Sequence, residues 1–295
     1  MESNHTTTRS YASNTDHSYC DKQCRVILTT LYGVVLLGGT TGMALMSCMM
    51  LRRKSRSVIT TIILNIIVLH SILLISLPFR LSYYILGVWE FGTLFCRLVS
   101  GIIYGHMYGT FVFYAAIVIF RLLIYFKKLQ MQQLQKHHVV VLSIVIWTVG
   151  SIIFLPILFL QYGINPSSSR PQRCFEFHTD LNRRKFITLN YSMIVIMITK
   201  VVILFLIQMG VIVQLVKALW PDLWAHQDYR AQIKSFFFLL VIVVCFIPHH
   251  VFRVYFIQNY SEIDNSKLVL YNEIFIALTT VCCLDMVCFV AGVVH

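Results

Sequence analysis

Hydrophobic positions in this chain come in seven long runs divided by short polar segments, near residues 26–51, 58–86, 93–126, 139–161, 186–215, 233–258 and 268–294. A helix rises about 1.5 Å per residue, so about 20 residues cross about 30 Å of hydrocarbon, and each run is long enough to do so. The expected fold is an all-α membrane protein: a seven-transmembrane helix bundle over 26–294, behind a polar amino-terminal segment at 1–25.

Composition agrees with that pattern. Of 295 residues, 58% are hydrophobic and 12% charged, and the mean hydropathy of +0.74 is far above that of a soluble domain. The net charge of +12 raises the question of nucleic acid. The lysines and arginines, however, sit in short connections and at run ends rather than on a soluble basic face, so no nucleic-acid partner is expected. The first connection, "RRKSRS" (Arg52 to Ser57), has four basic residues and no acid. The third adds Lys127, Lys128, Lys136, His137 and His138. The positive-inside rule places both in the cytoplasm and the amino terminus outside. The segment before the first run is rich in Thr, Ser and Asn, with no short apolar core before a small-residue cleavage site, so no removable signal peptide is expected. The sequons at Asn4 and Asn259 then fall on the outer side as glycosylation candidates, whereas Asn165 is excluded by Pro166.

Of nine cysteines, Cys48, Cys245, Cys282, Cys283 and Cys288 lie within the runs and read as small apolar filler. Cys96 opens the third run and Cys174 lies in the long second outer connection. Both face an oxidising space, and a disulfide between them is expected. Cys20 and Cys24 either pair with each other or stay free. The sequence has no His-Glu-x-x-His and no Gly-x-Ser-x-Gly, so neither an enzyme nor a metal or other cofactor is expected.

The landmarks have a particular order. "WEFGTLFC" (Trp89 to Cys96) precedes an arginine, Arg121, in "VIFRLLIYFKK", and Trp147 follows in the fourth run. "CFIP" (Cys245 to Pro248) and "CLDMVCF" (Cys283 to Phe289) come later, and Pro78, Pro156 and Pro248 interrupt three runs. Across nearly its whole length the chain resembles the rhodopsin-like G-protein-coupled receptors, in the branch that includes nucleotide and lipid receptors. That resemblance implies a multi-pass protein of the plasma membrane, in the lipid bilayer. It would transduce an extracellular ligand to a heterotrimeric G protein on the cytoplasmic face.

An arginine in hydrocarbon costs about 2.5 to 3.5 kcal/mol on insertion scales, which asks for a partner. The family's acid-Arg-Tyr triplet reads Phe120-Arg121-Leu122 here, so the neighbouring acid is missing. The resemblance implies a latch to Asp228 at the cytoplasmic end of the sixth span; the alternative is an arginine snorkelling to the inner interface. "HHVFR" (His249 to Arg253) is similar to the His-x-x-Arg that follows the sixth-span proline in nucleotide receptors, with His250 and Arg253 in the matching places. Together with Arg80, Lys200 and Glu273 they form a candidate pocket for an anionic or lipid-like ligand. Alternatively, Arg80 and Arg253 pair with Glu273 or snorkel. His106 and Tyr104 are either hydrogen-bonded core or ligand contacts. An amine ligand is disfavoured because 96–121 contains no acid, and a retinal pigment because the last run has no lysine.

Several positions depart from the family. "GGTTG" (Gly38 to Gly42) stands where an asparagine is expected, the fifth run lacks a proline, and Phe246, Met286 and Phe289 replace a tryptophan, a proline and a tyrosine. His70 takes the place of the second-span aspartate that shares a sodium ion with the seventh span. An imidazolium facing Asp285 would replace that ion; otherwise His70 is a neutral core histidine bonded to Thr110 or backbone. With Phe246 and Pro248 these residues make up the expected switch core. The resemblance implies an amphipathic helix or palmitoylated tail after the last span, and the sequence stops at His295 before it. A non-signalling seven-span binding partner and, less favoured for want of repeated halves, a transporter are the competing functions.

Overall fold

The computed structural model describes residues 22–52, 58–126, 136–156, 174–175, 184–259 and 266–287. Seven helices follow in chain order: α1 (Lys22–Arg52), α2 (Val58–Leu86), α3 (Thr93–Tyr125), α4 (Lys136–Pro156), α5 (Arg184–Leu219), α6 (Gln227–Asn259) and α7 (Ser266–Thr279). A 3₁₀ turn, Leu223–Ala225, precedes α6, and another, Thr280–Leu284, prolongs α7. No strand occurs among the described residues. Among the described residues, six helices are long and apolar enough to cross a bilayer, while the apolar part of α4, Val139–Ile153, is shorter. α1 begins at Lys22 and α5 reaches Leu219, each past its apolar run, as expected of helix ends whose polar side chains can reach water.

The outward faces carry large apolar side chains: Leu37 is 72% exposed, Ile75 71% and Leu206 65%. Such surfaces are stable only against lipid. Because lipid tails are as apolar as leucine, the helices are held instead by close packing and by polar contacts. "GGTTG" supplies the close packing. A Cβ on Gly38 would lie 2.6 Å from Leu284 Cδ2, and one on Gly42 2.7 Å from Val287 Cγ2. The bare backbone of α1 therefore lies directly against the 3₁₀ turn and the residues after it. A polar contact joins α2 to α4: Trp147 Nε1 donates to Asn65 Oδ1 at 2.9 Å, and Asn65 Nδ2 donates to Ser143 Oγ at 3.0 Å.

Two layers of buried side chains fill the bundle. Tyr32, Leu73, Leu77, Val99 and Ile103 belong to one, and Ile66, Phe113, Tyr114, Leu239 and Phe246 to the other. Pro78 and Pro248 lie inside α2 and α6 at exposed positions, and each removes one backbone donor from its helix.

Candidate functional site

At one end of the bundle Cys96, in the first turn of α3, is bonded to Cys174, with their Cα atoms 5.8 Å apart. The bond holds the next residue, Phe175, over the bundle. Its ring centroid lies 4.0 Å from the guanidinium carbon of Arg80 and meets Tyr83 and Trp89 edge to face. Arg80 is buried (2% exposed). Its Nη1 donates to Tyr32 Oη at 3.1 Å and lies 3.7 Å from Glu273 Oε2, to which Tyr84 Oη also donates at 3.3 Å. Of the alternatives open for Arg80, pairing with Glu273 is the one found. The carboxylate offsets the charge of the guanidinium, while the Arg80 Nε has no hydrogen-bond partner among the described residues.

Arg253 is different. Its Nε donates to Asn190 Oδ1 at 3.3 Å and its Nη1 to Asn272 Oδ1 at 2.9 Å, so amides orient it without neutralising it. Among the described residues no carboxylate comes within ion-pair distance of it. One turn away, His250 is buried, its ring packed near Tyr108, and its Nε2 has no hydrogen-bond partner. Lys200 does not join this group. It is exposed on the α5 face that also carries Ile196, Ile203 and Ile207, so its stem lies along lipid, where an ammonium snorkels.

Midway through the bundle, His70 faces Asp285, with Nε2 3.3 Å from Oδ1. The contact is close enough for an ion pair, but its alignment is not that of a hydrogen bond. The other oxygen, Oδ2, accepts from Tyr114 Oη at 2.5 Å. Thr110 is not the partner of His70; its hydroxyl donates to the carbonyl of His106 at 2.7 Å. The partner is His106, whose Nε2 lies 2.8 Å from His70 Nδ1. Cys283 Sγ is 3.6 Å and Cys282 Sγ 4.0 Å from the same Nε2. These two cysteines are therefore more than apolar filler. The sequence hides this because adjacent residues on a helix point about 100° apart or more, so spacing alone does not place two neighbouring thiols near one histidine. The doublet in "CCLD" was the available signal. Phe246, fully buried, lies in the core layer nearby.

Toward the other end, the expected latch is absent. Asp228 is exposed in the first turn of α6, and no ion pair forms at Arg121 among the described residues. Glutamines take its place: Gln208 Nε2 donates to Gln232 Oε1 at 3.0 Å, and Gln232 Nε2 donates to the Arg121 carbonyl at 3.4 Å. They link α3, α5 and α6 without placing a charge in lipid, which is cheaper than burying a carboxylate. Asn4 lies outside the described residues, as does Cys20, while Cys24 is disulfide-bonded. Asn259 is exposed at the end of α6, its amide donating to the Tyr255 carbonyl at 2.8 Å.

The sequence matches the family described as 7 transmembrane receptor (rhodopsin family) over residues 42–288. It is 38% identical to the human protein named probable G-protein coupled receptor 141, over 95% of this chain and 92% of that one. It is 25% identical to mouse probable G-protein coupled receptor 34, over 91% and 74%, and 21% identical to the bovine N-arachidonyl glycine receptor, over 90% and 79%.

Proposed function

Because the chain belongs to the rhodopsin family of seven-transmembrane receptors, multi-pass plasma-membrane proteins that are not enzymes, we propose that it relays an extracellular anionic or lipid-like ligand to a heterotrimeric G protein. The observation that carries the ligand class is Arg253, a guanidinium oriented by two amides and, among the described residues, without a carboxylate at ion-pair distance. A ligand carboxylate or phosphate there would gain a charge-assisted, bidentate contact. His250, with its unpartnered Nε2, is positioned as a second contact. One relative is named for N-arachidonyl glycine, an acylated amino acid, which is consistent with a lipid anion. In this reading the amino terminus and Asn259 face outside and Arg121 faces the G protein.

The test uses the full chain in lipid nanodiscs and measures nucleotide exchange on a G protein with a panel of long-chain acyl anions, each beside its neutral amide. At least one anion activates and its amide does not. Arg253→Gln raises the concentration required about tenfold or more, and Lys200→Gln leaves it unchanged. Equal potency of anion and amide, or no response to Arg253→Gln, rejects this pocket.

A further inference from the structure

His70, His106, Cys282 and Cys283 are all buried, and their ligand atoms all lie within 4.8 Å of one another. We propose that these four side chains form a structural zinc site joining α2, α3 and the turn that ends α7. Two imidazoles and two thiols are a donor set for a tetrahedral d¹⁰ ion, unlike the all-oxygen set that suits sodium, magnesium or calcium. With metal–nitrogen bonds of about 2.0–2.1 Å and metal–sulfur bonds of about 2.3 Å, a tetrahedron has edges of about 3.3 Å between nitrogens, 3.6 Å from nitrogen to sulfur and 3.8 Å between sulfurs. The cluster already has 3.6 Å and 4.0 Å from the His106 nitrogen to the two sulfurs. The two imidazole nitrogens, at 2.8 Å, need only spread by about half an ångström to reach the tetrahedral edge.

A candidate outer partner lies close, needing a small reorientation to accept a hydrogen bond. A metal-bound histidine commonly directs its second ring nitrogen at a carboxylate, which fixes the tautomer and strengthens the ligand. His70 would bind through Nδ1, leaving a proton on Nε2, which lies 3.3 Å from Asp285 Oδ1. Tyr114 holds the other oxygen of that carboxylate. His106 would bind through Nε2 with its proton on Nδ1. Binding converts two thiols to thiolates and releases two protons, so the two thiolate charges cancel that of the dication within the bundle. The ion would tie three helices together at mid-depth, and a receptor so joined would change shape only by moving α2, α3 and the end of α7 as one body.

The experiment uses the full chain, purified through a tag without histidine, stripped with a chelator and reloaded with zinc. Elemental analysis is expected to find about one zinc per chain, falling to about a tenth or less in Cys283→Ser and in His106→Gln and unchanged in His249→Gln. Asp285→Asn, which keeps all four ligands, is expected to weaken binding about 10- to 100-fold. If the ligand variants fail to fold, cobalt loading of the unmodified chain decides. Intense visible absorption of tetrahedral cobalt with thiolate charge-transfer bands supports the site. A weak octahedral spectrum, no stoichiometric zinc, zinc that persists in the folded ligand variants, or copper in its place would each overturn the proposal.

Discussion

The cluster around Arg80 and the cluster around His106 are both buried and polar, but they solve opposite problems. Arg80 carries a permanent charge, and everything around it meets that charge: Glu273, the Tyr32 hydroxyl and the ring of Phe175. At His106 no charge is fixed in advance, and the groups are four donors converging on one another with Asp285 behind them. A closed ion pair resists change, because removing either half strands the other in a medium that cannot solvate it. A set of imidazoles and thiols, which can each gain or lose a proton, can exist with or without an ion. The first cluster reads as fixed architecture and the second as a place where the state of the bundle can be set.

The sharpest way to break this contrast is to remove the matching carboxylates one at a time. Glu273→Gln leaves the Arg80 guanidinium buried and unmatched, at a cost of about 3 to 5 kcal/mol, measured as a loss of surface expression and a lower Tm. Replacing both partners with apolar residues of similar volume is expected to recover much of the loss. Asp285→Asn is expected to cost less in the metal-free chain, because an imidazole, unlike a guanidinium, can give up its proton. Equal losses for the two variants would erase the distinction.

Next in size is the bond that seats Phe175. Cys96→Ser or Cys174→Ser releases a constraint between residues 78 apart in sequence, worth about 2 to 4 kcal/mol, and frees the ring that covers Arg80. Normal surface levels of both variants would contradict it. A smaller effect sharpens the central side. Gly42→Val places new atoms against Val287, two residues past Asp285, where even a Cβ would lie 2.7 Å from Cγ2 and 3.0 Å from the backbone nitrogen. Overpacking of this kind costs about 1 to 3 kcal/mol. Gly210→Ala, with nothing within 4 Å of the new atom, is the matched control and should leave Tm unchanged.

The spans were legible because uninterrupted apolar runs of that length have few other uses, and the disulfide because Cys96 and Cys174 both lay on the expected oxidising side. The family's spacing put His70 and Asp285 in neighbouring spans but left open whether they faced each other; their Nε2 and Oδ1 lie 3.3 Å apart. Side-chain direction was harder to read. Lys200 looked like a pocket cation because a charge in a span usually faces the protein, yet the α5 periodicity turns it outward with Ile196, Ile203 and Ile207. The partner of Arg121 was sought among acids, whereas Gln208 and Gln232 satisfy that region through amides and a backbone carbonyl. The Cys282–Cys283 pair was hidden because neighbouring residues on a helix ordinarily point apart, and only the packing of this turn against His106 brings both sulfurs near its ring.

That missing acid gives the central claim its most direct test. Among the described residues no carboxylate pairs with Arg121; with Arg121 facing a G protein as proposed, the reconstituted full chain should catalyse nucleotide exchange even without added ligand. Arg121→Ala should lower that rate about tenfold, as expected for loss of a charge-assisted contact. Equal rates from the unmodified chain and Arg121→Ala would contradict the account. No exchange from the unmodified chain with any G protein, ligand or none, would do the same and make it a binding partner that does not signal.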